Sequence, residues 1–128
     1  MIRVLASVIE RNGRLLICRR PAHKRHGSLW EFPGGKLEQG ESDFDAVSRE
    51  LTEELAVVVR SVGDVHFAIA DPGSDFQIEF VDVVIEGDPS CLEHEALEWV
   101  QPNNLLNYEL APSDRRYAAF RLGRSDPT

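Results

Sequence analysis

Three glutamates, Glu50, Glu53 and Glu54, lie close together near the end of a segment that is predicted to be a helix. At about 100° per residue, their side chains share one side of that helix. Acids in the last turns of a helix repel one another and oppose its dipole, so stability alone does not favour them there. Hard divalent cations take oxygen ligands and would offset this cost. The pattern predicts a metal site, although an isolated pair of acids is more often a solvated helix face.

The segment around these acids has the features of an amphipathic helix. It contains no Pro or Gly from Glu41 to Val57, and Ser42 can act as its N-cap. Apolar residues recur at helical spacing and predict one buried stripe, which consists of Phe44, Val47, Leu51 and Leu55. The preceding glycines, Gly34 and Gly35, allow the backbone to approach a ligand closely. We therefore expect a glycine-rich turn followed by a helix that carries the acids.

The whole stretch follows a longer pattern. It runs from Gly35 through Glu41 and Arg49-Glu50-Leu51 to Glu53-Glu54 and Ala56-Val57. This resembles the box motif of the Nudix hydrolase family, Gly-x5-Glu-x7-Arg-Glu-U-x-Glu-Glu-x-Gly-U, where U is aliphatic. Every defined position matches except Ala56, where the family has Gly. That Gly usually ends the helix in a left-handed conformation, so the departure concerns the helix end and not the carboxylates.

The resemblance implies a role for each box residue. The metal ligands would be Glu50, Glu53, Glu54 and the backbone carbonyl of Gly34, and the ion would be Mg²⁺, with Mn²⁺ as a substitute. Glu41 would assist through water or through its neighbours, and Arg49 would pair with the box carboxylates. A general base must reach the attacking water. The sequence leaves Glu53 and Glu93 open for that role, because the family often places a further carboxylate on the loop before its last strand.

The substrate-binding residues come from the same resemblance. The string from Trp30 to Lys36 is similar to that of the MutT branch and its cytidine-nucleotide relatives. Arg20 matches a position that contacts nucleotide in that branch, whereas an Arg pair at a strand end is otherwise solvated surface. Asp114 stands where MutT-like proteins carry an Asn or Asp that reads the base edge, and the alternative is a helix cap. We expect Phe32 in the core or in the wall of the substrate pocket.

Composition limits the class of protein. The 128 residues, with 42% hydrophobic and 28% charged residues, suit one domain spanning 1–128 with a disordered tail at 123–128. A net charge of −8 argues against long nucleic acids and acidic membranes as partners, but not against a nucleotide bridged by metal ions. Only Cys18 and Cys91 are present, which favours a reducing, cytoplasmic location. We expect a monomer or weak dimer.

Strand and helix signals alternate along the rest of the chain. They predict strands at 4–9, 15–18, 29–32, 57–70, 76–85 and 97–100, and a second helix at 115–122 that is capped by Ser113 or Asp114. A hairpin turn is expected at 11–13, and a break in the long strand near Gly63. This order fits an α+β Nudix fold, in which a mixed sheet lies between helices.

Three functions are compatible with these observations. The first is a MutT-like hydrolase that converts a nucleoside triphosphate, such as 8-oxo-dGTP or a cytidine nucleotide, to the monophosphate and pyrophosphate. The second is a Nudix hydrolase of another nucleoside diphosphate derivative: a nucleotide sugar, a dinucleoside polyphosphate or capped RNA. The third is a non-catalytic module that binds nucleotide, against which the intact carboxylates argue.

Overall fold

A computed structural model describes residues 1–70 and 73–123 of the chain. The strands are β1 (Ile2–Val8), β2 (Glu10–Arg11), β3 (Arg14–Arg19), β4 (Trp30–Glu31), β5 (Gly34–Lys36), β6 (Val58–Ile69), β7 (Phe76–Glu86) and β8 (Ala96–Val100). The helices are α1 (Asp43–Leu55) and α2 (Pro112–Arg121), with a 3-10 helix at Pro102–Asn107. Residues 71 and 72, and all of the predicted tail at 123–128 except Gly123, lie outside the described residues.

The strands form two sheets. In the first, the order is β5-β1-β7-β6, with β1 and β7 parallel and the outer pairs antiparallel. In the second, β3 pairs with β2, β4 and β8, all antiparallel. The mixed first sheet and the two flanking helices confirm the predicted α+β architecture. The register between β6 and β7 shifts between Val62 and Val65, which confirms the break expected near Gly63.

Both faces of the mixed sheet are buried. Leu5 of β1 and Val81 of β7 pack with the apolar side of α1. Their neighbours Ala6 and Phe80 point to the opposite face and pack with Tyr117 of α2. Because successive side chains of a strand alternate in direction, each of these strands contributes to two cores. The mixed sheet therefore lies between α1 and α2.

Two details of the helices differ from prediction. Phe44 was expected in the buried stripe of α1, but it is 42% exposed at the first turn, while Ala46 is buried instead. The second helix begins at Pro112, with Ala111 at the N-cap position and no side-chain cap. Proline suits a first helical turn because its missing N–H would have no partner there. The prediction that Ser113 or Asp114 caps this helix was therefore wrong.

The start of α1 is tied to the mixed sheet by a group of charges. The guanidinium of Arg3, on β1, donates to both carboxylate oxygens of Asp43, at 3.0 and 3.1 Å, and to Glu79 on β7, at 2.6 Å. Glu79 is only 6% exposed, so Arg3 supplies the opposite charge that its burial requires. Ser42 caps the helix by accepting a hydrogen bond from the amide of Asp45, as predicted. These contacts fix the helix that carries the acids.

Ala56 ends α1 in the left-handed conformation, with φ 57° and ψ 40°. A side chain with a Cβ is strained there, so Ala56→Gly is expected to raise the free energy of unfolding by up to about 1 kcal/mol. The matched control is Asp45→Gly, at an exposed position inside the helix, which should lower it by several tenths of a kcal/mol. Thermal unfolding of both variants checks the signs. A lower melting temperature for Ala56→Gly would contradict the strained helix end.

No helix among the described residues is long and apolar enough to cross a membrane.

Candidate active site

Gly35 and Glu50 bring the turn and the helix into contact. A Cβ atom built on Gly35 would overlap the carboxylate of Glu50, so only glycine leaves room for that side chain. Gly34 has φ +150°, and a Cβ there would overlap the carbonyl oxygen of Leu5 on the neighbouring strand. The two glycines therefore allow β5 to lie against both β1 and α1. This close approach places the Glu50 carboxylate directly at the turn.

Arg49 fixes the acids at the edge of this contact. Its guanidinium donates two hydrogen bonds to Glu41, both at 2.9 Å, one to Glu50 at 2.8 Å and one to the carbonyl of Lys36 at 3.1 Å. This confirms the expected pairing of Arg49 with the box carboxylates. The fork, together with the amide of Glu38, holds the pKa of Glu41 well below its usual value. Glu41 therefore helps to position Glu50 through Arg49, which donates to both carboxylates.

Glu54 is the buried acid of the helix, only 4% exposed. Burial and the adjacent carboxyl of Glu50, with which it shares a hydrogen bond, raise its pKa well above the ordinary value. Its Oε2 atom is buried and has no hydrogen-bond partner among the described residues. A buried polar atom without a partner is costly, and Glu54 lines a cavity that could admit a ligand. This combination indicates a binding site.

The loop before β8 packs onto the end of α1. The amides of Ser90 and Leu92 donate to the carbonyls of Leu55 and Glu54, which the helix leaves unpaired. This docking brings Glu93 and His94 to the acids. Together with the glycine turn they enclose a carboxylate cavity, which is lined by Arg20, Pro21, Lys24, Glu31, Gly34, Glu50, Glu54, Glu93 and His94. Glu93 therefore lies on the loop and beside the acids as expected.

Glu53 lies apart from this cavity. Its side chain is exposed on α1, and it is not among the residues that line the cavity. Among the described residues, no three His, Cys, Asp or Glu side chains are arranged to hold a metal ion as they stand. The predicted ligands Gly34, Glu50 and Glu54 do meet at one cavity, whereas Glu53 would have to turn toward it. A metal role for Glu53 stays a prediction.

The residues that meet at the cavity suit a divalent cation. Glu50 and Glu54 would supply carboxylate oxygens, the donors that hard cations prefer. Burial and the adjacent carboxyl of Glu50 raise the pKa of Glu54, and its Oε2 atom has no hydrogen-bond donor among the described residues. A positive charge between the two acids would relieve both effects. The donor set therefore fits the metal that the sequence predicts.

A second, more apolar cavity adjoins the first. It is lined by Val4, Arg20, Arg25, His26, Glu31, Ser74, Phe76, Ile78, Ala111, Pro112, Ser113 and Asp114. Arg20 and Glu31 line both cavities, and Arg20 donates to Glu31 at 3.0 Å. Arg19 lines neither of the two, and its guanidinium contacts the carbonyl of Ser28. Arg20 therefore lies at the boundary of the two cavities, and its contact with nucleotide stays a prediction.

Asp114 closes one end of this apolar cavity. It is 8% exposed, and its Oδ1 atom accepts a hydrogen bond from the amide of Phe32 at 2.9 Å. Burial raises the pKa of Asp114, and the negative charge of Glu31 adds to this effect, so that the pKa is about 8. A carboxyl that holds its proton near neutral pH can both donate and accept. Because α2 begins at Pro112 with Ala111 at the N-cap position, Asp114 is not a helix cap. Its ability to donate and accept hydrogen bonds suits recognition of the polar edge of a ligand.

Phe32 belongs to the core. Its ring is 3% exposed and contacts the rings of Phe80 and Tyr117, with centroids 5.9 and 5.3 Å away. It does not line either cavity. What Phe32 contributes to the site is its backbone amide, which orients Asp114. Of the two alternatives left by the sequence, core or pocket wall, the structure places the side chain in the core.

Among the cavity-lining residues that were not predicted, Glu31 and His94 contact each other. Glu31 lies between the cavities, and His94 pairs with it, with Nε2 2.9 Å from a carboxylate oxygen of Glu31. Signals existed for both: Glu31 is a charge between two aromatic residues in a short strand, and His94 lies between two acids. Neither position is defined by the box motif. Their partners come from strands and loops far apart in sequence, which no local pattern reveals.

The raised pKa of Asp114 makes stability depend on pH. The folded state binds this proton more tightly than the unfolded state, so the stabilisation is complete below about pH 4 and is lost as the pH rises toward 8. Asp114→Asn removes this titration but keeps an oxygen for the Phe32 amide. As the pH rises from 5 to 8, wild type should lose stability relative to the variant. The difference in the free energy of unfolding should grow by about 1–3 kcal/mol across this range. Chemical denaturation at several pH values checks this, and a constant difference across the range would contradict it.

Comparison with solved structures identifies the class of protein. The solution structure of the E. coli ORF135 protein is similar over 100% of this chain and 94% of its own, with a TM-score of 0.79 and 37% identity. A crystal structure of a MutT NUDIX hydrolase from Burkholderia pseudomallei gives a TM-score of 0.76 at 26% identity, over 94% of this chain and 97% of its own. The architecture is thus that of MutT-type proteins.

Sequence comparison identifies the family. The model of the NUDIX domain matches residues 1–120, and the chain belongs to the Nudix family. An E. coli protein named CTP pyrophosphohydrolase is 38% identical over 97% of this chain and 96% of its own length. An E. coli 8-oxo-dGTP diphosphatase is 33% identical over 80% of this chain and 81% of its own. These matches confirm the family and fold that the box motif indicated.

Proposed function

We propose that this protein is a metal-dependent nucleoside triphosphate pyrophosphohydrolase, with a cytidine triphosphate as the first substrate to test. The observation that carries the proposal is the pairing of cavities. One contains a buried acid with an unpartnered oxygen beside Glu50, and the other is apolar and ends at Asp114. A triphosphate placed at the acids leaves its nucleoside in the apolar cavity. The relative named CTP pyrophosphohydrolase, similar over nearly its full length, supports this choice of base.

Nudix proteins generally use divalent metals, and we infer Mg²⁺, with Mn²⁺ as a substitute, for this site. The ligands would be Glu50, Glu54 and the carbonyl of Gly34, with Glu53 turned toward them. When bound, the ion would neutralise phosphate oxygens and lower the pKa of water. Arg49 holds the rotamer of Glu50 in readiness for this role.

Two residues could remove the proton from the attacking water. Glu93 lines the carboxylate cavity, whereas Glu53 does not. The position of Glu93 therefore favours it as the general base. Arg20, at the boundary of the two cavities, would contact phosphate or base edge with its planar guanidinium. Asp114 would pair with the base. The products would be nucleoside monophosphate and pyrophosphate.

The experiment is a comparison of substrates. We expect kcat/KM to be highest for one nucleoside triphosphate in a panel that contains CTP, dCTP, ATP, GTP, UTP and 8-oxo-dGTP. Asp114→Ala should raise KM for the preferred nucleotide and flatten the preference, because a site that hydrogen-bonds its substrate loses discrimination without its partner. Nucleotide sugars, dinucleoside polyphosphates and capped RNA belong in the same panel. Faster turnover of one of these would overturn the triphosphate proposal.

A second candidate, 8-oxo-dGTP, is favoured by the relatives named 8-oxo-dGTP diphosphatase. Binding without turnover of any substrate in the panel would instead point to a nucleotide-binding module. We also infer a cytoplasmic protein, because Cys18 and Cys91 are both free thiols. The expected oligomeric state is a monomer or weak dimer. Light scattering of the purified protein tests the oligomeric state.

A further inference from the structure

His94 and Glu31 form the inner part of a polar wall between the two cavities. The wall, as we use the term, consists of Arg20, Glu31 and His94. One oxygen of Glu31 accepts from Arg20 at 3.0 Å, and the other pairs with His94 Nε2 at 2.9 Å. Because each oxygen has its own partner, the carboxylate of Glu31 is held in a single orientation. That carboxylate faces both cavities.

Of the three side chains in this wall, His94 is the most deeply buried. Its side chain is 5% exposed, against 19% for Glu31 and 27% for Arg20. The distance from His94 Nε2 to Glu54 is 3.8 Å, which is too long for a hydrogen bond. The close partner of the imidazole is therefore Glu31 and not the buried acid. His94 is anchored in the interior, while Arg20 reaches outward to the carbonyl of Arg25 in the exposed loop, at 2.8 Å.

We propose that His94 is a positioning residue that holds Glu31, and through it Arg20, in the wall between the two cavities. The wall sets the distance between the acids and the apolar cavity, and so fixes where a nucleoside can lie when its phosphates are at the acids. Without the imidazole, one oxygen of Glu31 loses its partner and the carboxylate can rotate. Arg20 then loses a fixed contact. This inference rests on the proposed function for its effect on substrate, but the contact itself can be tested independently.

The test compares two substitutions of His94. His94→Phe keeps a ring of similar volume but removes the nitrogen, whereas His94→Gln keeps a donor that can reach Glu31. With CTP and Mg²⁺, we expect His94→Phe to raise KM about tenfold with kcat within threefold, because ground-state placement is lost. His94→Gln should stay within threefold of wild type in both constants. A fall in kcat without a change in KM would overturn the proposal, since His94 would then act on the chemistry.

A double-mutant cycle tests whether His94 acts through Glu31. In the background of Glu31→Ala, which removes both carboxylate oxygens, His94→Phe should add less than a twofold further effect on KM and on the dissociation constant of CMP measured in EDTA. The CMP measurement needs neither metal nor turnover. Independent effects that multiply in the double variant would overturn the proposal.

A spectroscopic measurement separates this inference from the proposed function. Arg20 donates to Glu31 through Nη1, whereas its Nε–H donates to the carbonyl of Arg25, so the Nη1 hydrogens report the wall. In the ¹H–¹⁵N spectrum at low temperature and without nucleotide, the Arg20 Nη1 signal should be distinct in wild type and His94→Gln, and should move to the free-arginine position in His94→Phe. An unchanged signal in His94→Phe would overturn the positioning role, whatever the substrate is. Failure of wild type to hydrolyse any triphosphate would overturn only the proposed function. If His94→Phe does not fold, His94→Asn, whose amide is too short to reach Glu31, takes its place with the same expectations.

Discussion

Removal of divalent metal is expected to abolish hydrolysis, lowering kcat at least about 100-fold. Without a cation, the carboxylates of the cavity repel a polyphosphate, and the general base must act on water whose pKa no metal has lowered. Addition of Mg²⁺ or Mn²⁺ after EDTA should restore the rate. Phosphate release with CTP in EDTA, and after excess metal is added, provides the measurement.

The raised pKa of Glu54 predicts how metal binding depends on pH. A carboxylate must lose its proton to bind a metal, so Mg²⁺ should bind more tightly as the pH rises, and binding should release a proton. Melting temperatures with and without Mg²⁺ between pH 6 and 9 report this without any turnover. Undiminished activity in chelator, at any pH in this range, would contradict a metal site at the acids.

The second large effect is expected for Glu54→Gln, which keeps the shape of the side chain and removes its charge. We expect kcat to fall at least about 100-fold because a metal ligand is lost. The fold should persist at neutral pH, since the buried glutamate is already favoured in its neutral form. Mg²⁺ should no longer raise the melting temperature of this variant. Activity within threefold of wild type would show that Glu54 is only a buried structural acid.

Glu53→Gln tests whether Glu53 is a metal ligand or the general base. Glu53 lies one helical turn after Glu50, so its flexible side chain can turn toward the cavity. A loss of at least about 100-fold in kcat is expected if it is a ligand or the base. The control is Glu86→Gln, an exposed acid that pairs with Arg60 at 3.5 Å, which should stay within twofold. A Glu53 variant that behaves like this control would leave Glu93 as the general base.

The sequence predicted the scaffold of the site because its signals are local. Helical periodicity and the Ser42 cap specify α1, and the glycines specify the turn that packs against it. The box spacing then placed Glu50 and Glu54 together. Even the departure at Ala56 was useful, because the residue adopts the left-handed conformation that the family gives to glycine. Where one stretch of chain determines both structure and chemistry, the sequence was sufficient.

The remaining features depend on contacts between distant segments. Glu31 and His94 meet across 63 residues, and no periodicity indicates that a short strand and a loop will share a hydrogen bond. Asp114 looked like a helix cap because Asp is common there, but the amide of Phe32, 82 residues away, is its partner. Glu53 and Glu54 are neighbours in sequence, yet only Glu54 is buried, since the docking of the loop before β8 decides which side of α1 is covered.

The most direct test of the central claim is the identity of the products. Purified protein, freed of metal and then supplied with Mg²⁺ and CTP, is followed by ³¹P nuclear magnetic resonance. We predict signals of CMP and pyrophosphate in equal amounts, with none before Mg²⁺ is added and none from Glu54→Gln. Formation of CDP and phosphate, or equal rates with and without metal, would contradict a pyrophosphohydrolase that works through the acids of the carboxylate cavity.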